Sequence, residues 1–277
     1  MYQLKKVYLE ITNICNLNCS FCPGTGRKTG FLAPEDFRTL AKKVRLHTQH
    51  LYLHLMGEPL THPDLPAFLK LAKERGFHSV ITTNGTLLDR RGEELLGSGV
   101  HKISVSVHSF EQDDRDGHER YLRKVADFAH KASKAGVIVV LRFWNRDHDE
   151  GRNDRAEQIL RELLPGDWIE NTRGVRVREK LHLEWGDRFE WPDEGAPVQG
   201  EEVFCHGMRD QFGILCDGTV VPCCLDSEGV IALGNVFREE LSDILNSPRA
   251  NAMKKGFERR QASEELCRRC GYAQRFV

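Results

Sequence analysis

The 277 residues carry 40 lysines and arginines against 41 aspartates and glutamates, for a formal net charge of -1. That balance gives the phosphate backbone of a nucleic acid no global electrostatic reason to bind, and the longest apolar run, VIVVL, is too short to cross a bilayer. No apolar h-region follows the basic residues of MYQLKKVYLEIT, so the chain reads as cytoplasmic; there, nine cysteines, an odd number, point to metal ligation rather than disulfides.

Taken in chain order, KVYLEIT, HLYLHLM, HSVITTNG, HKISVSVHS and VIVVLRFWN are short β-rich runs. Between them lie PEDFRTLAKKVRLH, PDLPAFLKLAKERG, RRGEELLGSG and YLRKVADFAHKASKAG, helical in period and mostly closed by glycine or basic residues. Alternation of strand and helix predicts an α/β fold with parallel strands, chemistry sitting at their C-terminal ends. A sixth strand is expected within GVRVREKLHLEW, in a segment that otherwise looks irregular up to Pro197. After the Gly/Pro/acid-rich PDEGAPVQGEE, FGILCDGTVVPCCL reads as a β-hairpin turning at Asp217-Gly218. REELSDILNSPRANAMKKGF follows as a helix, then a cysteine pair near the C-terminus.

The first strand runs straight into ITNICNLNCSFCPGTG, which holds Cys15, Cys19 and Cys22. Zinc normally closes with four protein ligands, whereas an iron-sulfur cube held by three thiolates leaves one iron open to an external ligand.

The spacing Cys15-x3-Cys19-x2-Cys22, with Phe21 before the last thiol, resembles the cluster loop of radical S-adenosylmethionine (SAM) enzymes. Met56-Gly57-Glu58-Pro59 after the second strand is similar to their GGEP motif, whose backbone and acid hold the SAM amino group. Thr83-Asn84-Gly85, Ser106 and Arg142 look like further SAM contacts, Arg142 meeting the carboxylate. The resemblance covers roughly residues 5–190 and implies a partial (β/α)6 barrel over residues 1–197. It also implies reductive cleavage of SAM to a 5'-deoxyadenosyl radical, with electrons from a flavodoxin- or ferredoxin-type donor.

Cys205-x12-Gly218-x4-Cys223 with Cys267-x2-Cys270 resembles a twitch module, a shortened relative of SPASM, over residues 198–277. The expected cofactors are therefore two [4Fe-4S] clusters and SAM, a tetrathiolate zinc being the rival at the second site. Cys216 and Cys224 are left over and read as small buried hydrophobes, either of which could also reach the substrate cavity.

With Leu51/Leu53/Leu55 and Ile103/Val105/Val107 turned toward covering helices, the lumen would take Tyr8, Glu10, Tyr52, His54, Ser104, Ser106, His108, Arg142 and Trp144. Glu10, His54 and His108 are the candidate catalytic groups, and a Glu10–Arg142 pair is one arrangement open to them. Glu184, Trp185, Asp187 and Trp191 are either substrate wall or ordinary packing. So polar a cavity suits a small hydroxylated or nitrogen-rich substrate. The wording of the barrel segments is similar to queuosine lyases, and a nucleoside such as queuosine, cleaved to release queuine, leads the expectations. The first strand lies close to residue 1, with no preceding domain to capture a leader peptide, which weighs against a ribosomal-peptide maturase. An aminosugar or aminocyclitol dehydrogenase and a noncatalytic metal-binding module complete the set.

Overall fold

The computed structural model describes residues 4–111 and 114–276. In chain order the strands and helices are β1 (Lys6–Leu9), α1 (Pro34–Arg45), β2 (His50–Tyr52), α2 (Leu65–Glu74), β3 (His78–Thr83), α3 (Leu88–Leu96), β4 (Lys102–Ser106), α4 (Arg115–Lys134), β5 (Ile138–Arg146) and α5 (Arg152–Leu163). They continue with β6 (Ile169–Asn171), β7 (Gly174–Arg178), β8 (Leu181–Asp187), β9 (Gln211–Ile214), β10 (Thr219–Val221), β11 (Gly234–Asn235), α6 (Leu241–Leu245), α7 (Pro248–Glu258) and α8 (Glu265–Arg268). Two compact units result, one built from residues up to 57, 74–77 and from 189 on, the other from 58–73 and 78–188.

In the first unit β1 pairs in parallel with β2 on one side and with β9 on the other. β10 then returns antiparallel to β9, and β11 antiparallel to β10. The reversal falls at Asp217-Gly218 as expected, Gly218 adopting φ +85°. Val7, Leu9 and Ile11, one face of the alternating KVYLEIT, are fully buried, as are Leu51, Leu53, Phe212 and Ile214. α1 begins on Pro34 with Glu35 and Asp36 in its first turn and ends on basic residues, matching the helix dipole. Its Phe37, Leu40, Ala41 and Val44, spaced three and four apart, are all buried.

The second unit lays β3, β4, β5 and β8 in parallel register, then β7 antiparallel to β8 and β6 antiparallel to β7. Ile103, Val105 and Val107 are buried on one side, and long α4 contributes Leu122, Val125 and Ala129 to the same core.

Several expectations change in detail. GVRVREKLHLEW holds two strands, β7 and β8, joined at Glu179-Lys180, and β8 is the parallel one. RNDRAEQILREL, which is not among the helices expected from the sequence, forms α5, its charged faces masking a narrow stripe of Ala156 and Leu160. The single helix expected after the hairpin is two, because Ser247 caps a new start and Pro248 has no N–H with which to continue α6. β2 stops at Tyr52, so His54 lies in the loop beyond it. The chain has a mixed α/β fold with a parallel-sheet core, and no described helix is long and apolar enough to cross a membrane.

Candidate active site

In the first unit the three-thiol loop leaves the end of β1 with Cys15 exposed and Cys19 and Cys22 half-buried. The Cys22 N–H donates to the Cys19 carbonyl at 3.1 Å, closing a turn around the last two thiols. The ends of the loop are fastened to each other. Asn13 donates to the Lys28 carbonyl at 3.1 Å and accepts from the Gly30 N–H at 2.9 Å, while the Thr12 hydroxyl donates to the Gly30 carbonyl at 2.9 Å. The thiols thus sit on a pinned loop instead of a free one. Gly57 packs on the same backbone at φ +78°, and a Cβ there would stand 2.5 Å from the Thr12 carbonyl oxygen; only glycine permits this approach. Phe21 is half-buried.

Glu10, fully buried, pairs with Arg27 and not with Arg142 as the sequence allowed: the Arg27 guanidinium donates to both carboxylate oxygens, at 2.6 and 2.9 Å. The reason is local, since the pinned loop brings Arg27 back over the end of β1, whereas Arg142 stacks elsewhere. Tyr8, Tyr52 and His54 form a ring trio with centroids 5.1 to 5.7 Å apart. Burial, then the neighbouring Cys224 thiol, raises the Tyr8 phenol well above its ordinary pKa. Cys216 and Cys224 are more than fillers: the Cys216 thiol donates to the Glu10 carbonyl at 3.2 Å, and Cys224 is hydrogen-bonded to Tyr8.

In the second unit Glu58 is fully buried, one carboxylate oxygen accepting the Leu60 N–H at 2.9 Å and the other the Asn84 N–H at 2.7 Å. Burial outweighs these bonds and raises its pKa from 4.5 to about 7. Pro59, also buried, opens the short 3-10 turn that Glu58 caps. The Asn84 side chain accepts from the Thr86 N–H and hydroxyl at 2.9 and 2.7 Å. Ser106 stands opposite Arg142 in the β4–β5 register, and Arg142 opposite Glu184 in the β5–β8 register. The Arg142 guanidinium carbon lies 3.4 Å from the centroid of the Trp144 ring. His108 Nδ1 is 3.0 Å from the Arg142 carbonyl, and burial lowers its pKa to about 4, so the ring is neutral near pH 7. Trp185 stacks on Phe143, and Asp187 pairs with Arg146 at the surface.

The remaining predicted ligands, Cys205, Cys223, Cys267 and Cys270, line one cavity in the first unit together with apolar Ile231 and Leu266. Among the described residues no three His, Cys, Asp or Glu side chains gather tightly enough to hold a single ion, and these four thiols ring the cavity walls. Burial pushes the Cys205 thiol up to about 11 and raises Cys223 and Cys267, with neighbouring thiols adding to the rise. Backbone N–H groups point at the sulfurs: Gly207 donates to Cys205 at 3.3 Å, and those of Tyr272 and Ala273 face Cys270. Four thiols, an apolar wall and N–H donors fit an iron-sulfur cluster. Three thiols on the other loop fit one with an open vertex.

A family model described as the radical SAM superfamily matches residues 9–163. The chain belongs to that superfamily. Within this radical SAM enzyme an iron-sulfur cluster-binding domain, SPASM, matches residues 205–271, so the cofactors are SAM, a [4Fe-4S] cluster and further iron-sulfur. The chain is 25% identical over 293 residues to a GTP 3',8-cyclase of Microcystis aeruginosa, covering 87% of this chain and 88% of that protein. It is 22% identical over 273 residues to an S-adenosyl-L-methionine-dependent 2-deoxy-scyllo-inosamine dehydrogenase of Niallia circulans, covering 95% and 91%. Its fold is similar to that of BtrN in complex with AdoMet and 2-DOIA, at TM-score 0.63 and 20% identity over 98% of this chain and 94% of that one. Streptococcus suis SuiB bound to S-adenosylmethionine shares the fold at TM-score 0.63 and 16% identity, over 98% of this chain and 72% of SuiB.

Arg27 and Asn13 are the site residues that sequence reasoning missed; Cys216 and Cys224 it named without their partners. The signal for Arg27 was a basic residue inside the glycine-rich stretch GTGRKTG, next to a buried acid that needed a partner.

Proposed function

We propose that this radical SAM enzyme abstracts hydrogen from a small polar substrate with a sugar-like ring, a nucleoside such as queuosine leading, its cleavage releasing queuine. The observation that carries this reading is the polar, aromatic wall of the second unit, where Arg142 lies on Trp144 beside neutral His108 and Ser106. Matches that run nearly end to end, to relatives named for a purine nucleotide and for an aminocyclitol, support the same class. A [4Fe-4S] cluster held by Cys15, Cys19 and Cys22 would pass one electron, taken from the external donor, to SAM, giving methionine and a 5'-deoxyadenosyl radical.

The chain's own part is to hold and to exclude. Cys15, Cys19 and Cys22 are assigned to the first cluster and Cys205, Cys223, Cys267 and Cys270 to one further [4Fe-4S] cluster. Phe21, Gly57, Glu58, Pro59, Asn84, Ser106 and Arg142 are assigned to SAM. Of the candidate catalytic groups, neutral His108 suits hydrogen bonding to a hydroxyl, and His54 belongs to the aromatic trio. Residues 1–197 form the catalytic domain and 198–277 the auxiliary domain of a cytoplasmic enzyme served by a flavodoxin- or ferredoxin-type donor.

Anaerobic incubation of reconstituted enzyme with SAM, reductant and queuosine tests this: queuine together with 5'-deoxyadenosine supports it. Turnover of an aminocyclitol instead supports the second reading, a dehydrogenase, favoured by the end-to-end likeness to BtrN and to the Niallia circulans relative. Coupled 5'-deoxyadenosine formation only with a peptide would overturn both.

A further inference from the structure

We infer that Glu10 and Arg27 form a positioning pair that fixes the three-thiol loop against both its neighbouring motif and the SPASM hairpin; this rests on the radical SAM reading of that loop. Glu10 is fully buried, where an ionised carboxylate persists only if its lone pairs are met. Four donors meet them. Arg27 supplies two at 2.6 and 2.9 Å, the Met56 N–H a third at 3.3 Å and the Cys216 N–H a fourth at 3.1 Å.

These donors come from three separate stretches of chain. Arg27 lies five residues beyond the last cluster thiol, Met56 immediately precedes Gly57, and Cys216 sits at the turn between β9 and β10. Arg27 also reaches past the carboxylate, its Nε donating to the Ser227 carbonyl at 2.7 Å. Its neighbour Gly26 donates its N–H to the Glu228 carboxylate at 3.1 and 3.2 Å. One buried carboxylate is therefore the common anchor of the strand before the thiols, the segment after them, the residue before the Gly57 turn and the hairpin that precedes Cys223. With both oxygens taken, Glu10 is not poised to touch substrate. Its part is to hold the loop, and Arg27 is the clasp.

A paired charge-assisted contact of this kind is geometrically strict, so lysine at 27 keeps the charge but loses the fork. The test uses full-length, anaerobically reconstituted enzyme in the forms wild type, Arg27→Met, Arg27→Lys and Glu10→Gln. It reads SAM affinity, iron per chain and the electron paramagnetic resonance signal of each reduced cluster, the C-terminal cluster serving as internal control. Arg27→Met and Glu10→Gln should weaken SAM binding by about 10–100-fold and blunt the SAM-induced change in the first cluster's signal, as loss of an outer-shell support does. Arg27→Lys should fall between them and wild type, and the C-terminal cluster's signal should not change. If the single variants do not fold, Glu10→Leu combined with Arg27→Leu removes both charges together and should fold while still binding SAM weakly. Wild-type SAM affinity and first-cluster signal in any folded variant lacking the pair would overturn the inference. A wild-type enzyme whose first cluster shows no SAM-induced change would instead overturn the radical SAM reading of the loop.

Discussion

Glu58 shows how one side chain of a recognisable motif acquires its state from its surroundings. Its carboxylate accepts from Leu60 and Asn84, yet burial is the larger influence and raises its pKa from 4.5 to about 7. The native chain therefore keeps a proton that the unfolded chain has released near 4.5. Between those two values the folded state binds more protons, so this residue's contribution to stability is lost as pH rises from about 4.5 to about 7. Glu58→Gln should remove that slope, seen as a flatter dependence of melting temperature on pH between 5 and 7.5 than wild type shows. Above about pH 7, where the ionised carboxylate accepts from both N–H groups, it should also cost about 1–3 kcal/mol, because an amide presents one acceptor and one donor to them. Gly57 carries a second expectation at this scale. Alanine there would bring its methyl within 2.5 Å of the Thr12 carbonyl oxygen, at a φ of +78°. Gly57→Ala should lower the melting temperature and weaken SAM binding together, a joint effect readable by calorimetry in the two states. The motif residues were legible because their types and spacing are the signal; the partner of Glu10 was not, since a buried carboxylate names its need for a cation without naming which one.

The loop that carries Cys15, Cys19 and Cys22 behaves as an element in its own right, closed by the hydrogen bonds of Asn13, Thr12 and Gly30. Changing one of its thiols to alanine should therefore remove its iron without unfolding the chain. For Cys15→Ala, Cys19→Ala and Cys22→Ala the expected outcome is loss of SAM cleavage with about half the iron retained, since the four distant thiols are untouched. Iron analysis with SAM-cleavage assays checks this, and cleavage surviving in all three variants would count against the assignment. The strands were legible for the same reason the loop was: Val7, Leu9 and Ile11 alternate, and burial follows the alternation. α5 was not, because arginines and acids fill most of its surface and only Ala156 and Leu160 mark its buried side. The break between α6 and α7 is written in Ser247-Pro248, a cap and a residue without an N–H, but helical period continuing on both sides hides it.

Across the whole chain, the feature that local pattern does not contain is the parallel pairing of β9 with β1, which joins residues about 200 apart in one sheet. Periodicity announces each strand, but only tertiary packing selects the partner. That pairing places the C-terminal thiols in the same compact unit as the N-terminal strand, and the elements that carry the last two of them are short. α8 has 4 residues and the closing 3-10 turn another 4, with Leu266 and Ala273 their buried apolar anchors. So little apolar area cannot hold such a segment firmly, and a cluster on Cys267 and Cys270 would supply the missing constraint. Cys267→Ser combined with Cys270→Ser should then lower the unfolding temperature by roughly 5–10 °C, as expected for about 2–3 kcal/mol in a chain of this size. The loss should be matched by stripping iron from the wild-type protein, and stripping iron from the double variant should add little. Hydrogen exchange would locate the effect: amides of residues 262–275 should lose protection in the variant while those of β3, β4 and β5 keep theirs. Equal loss in both regions would mean that the C-terminal iron stabilises the molecule globally and that the short helices are held by something other than their thiols.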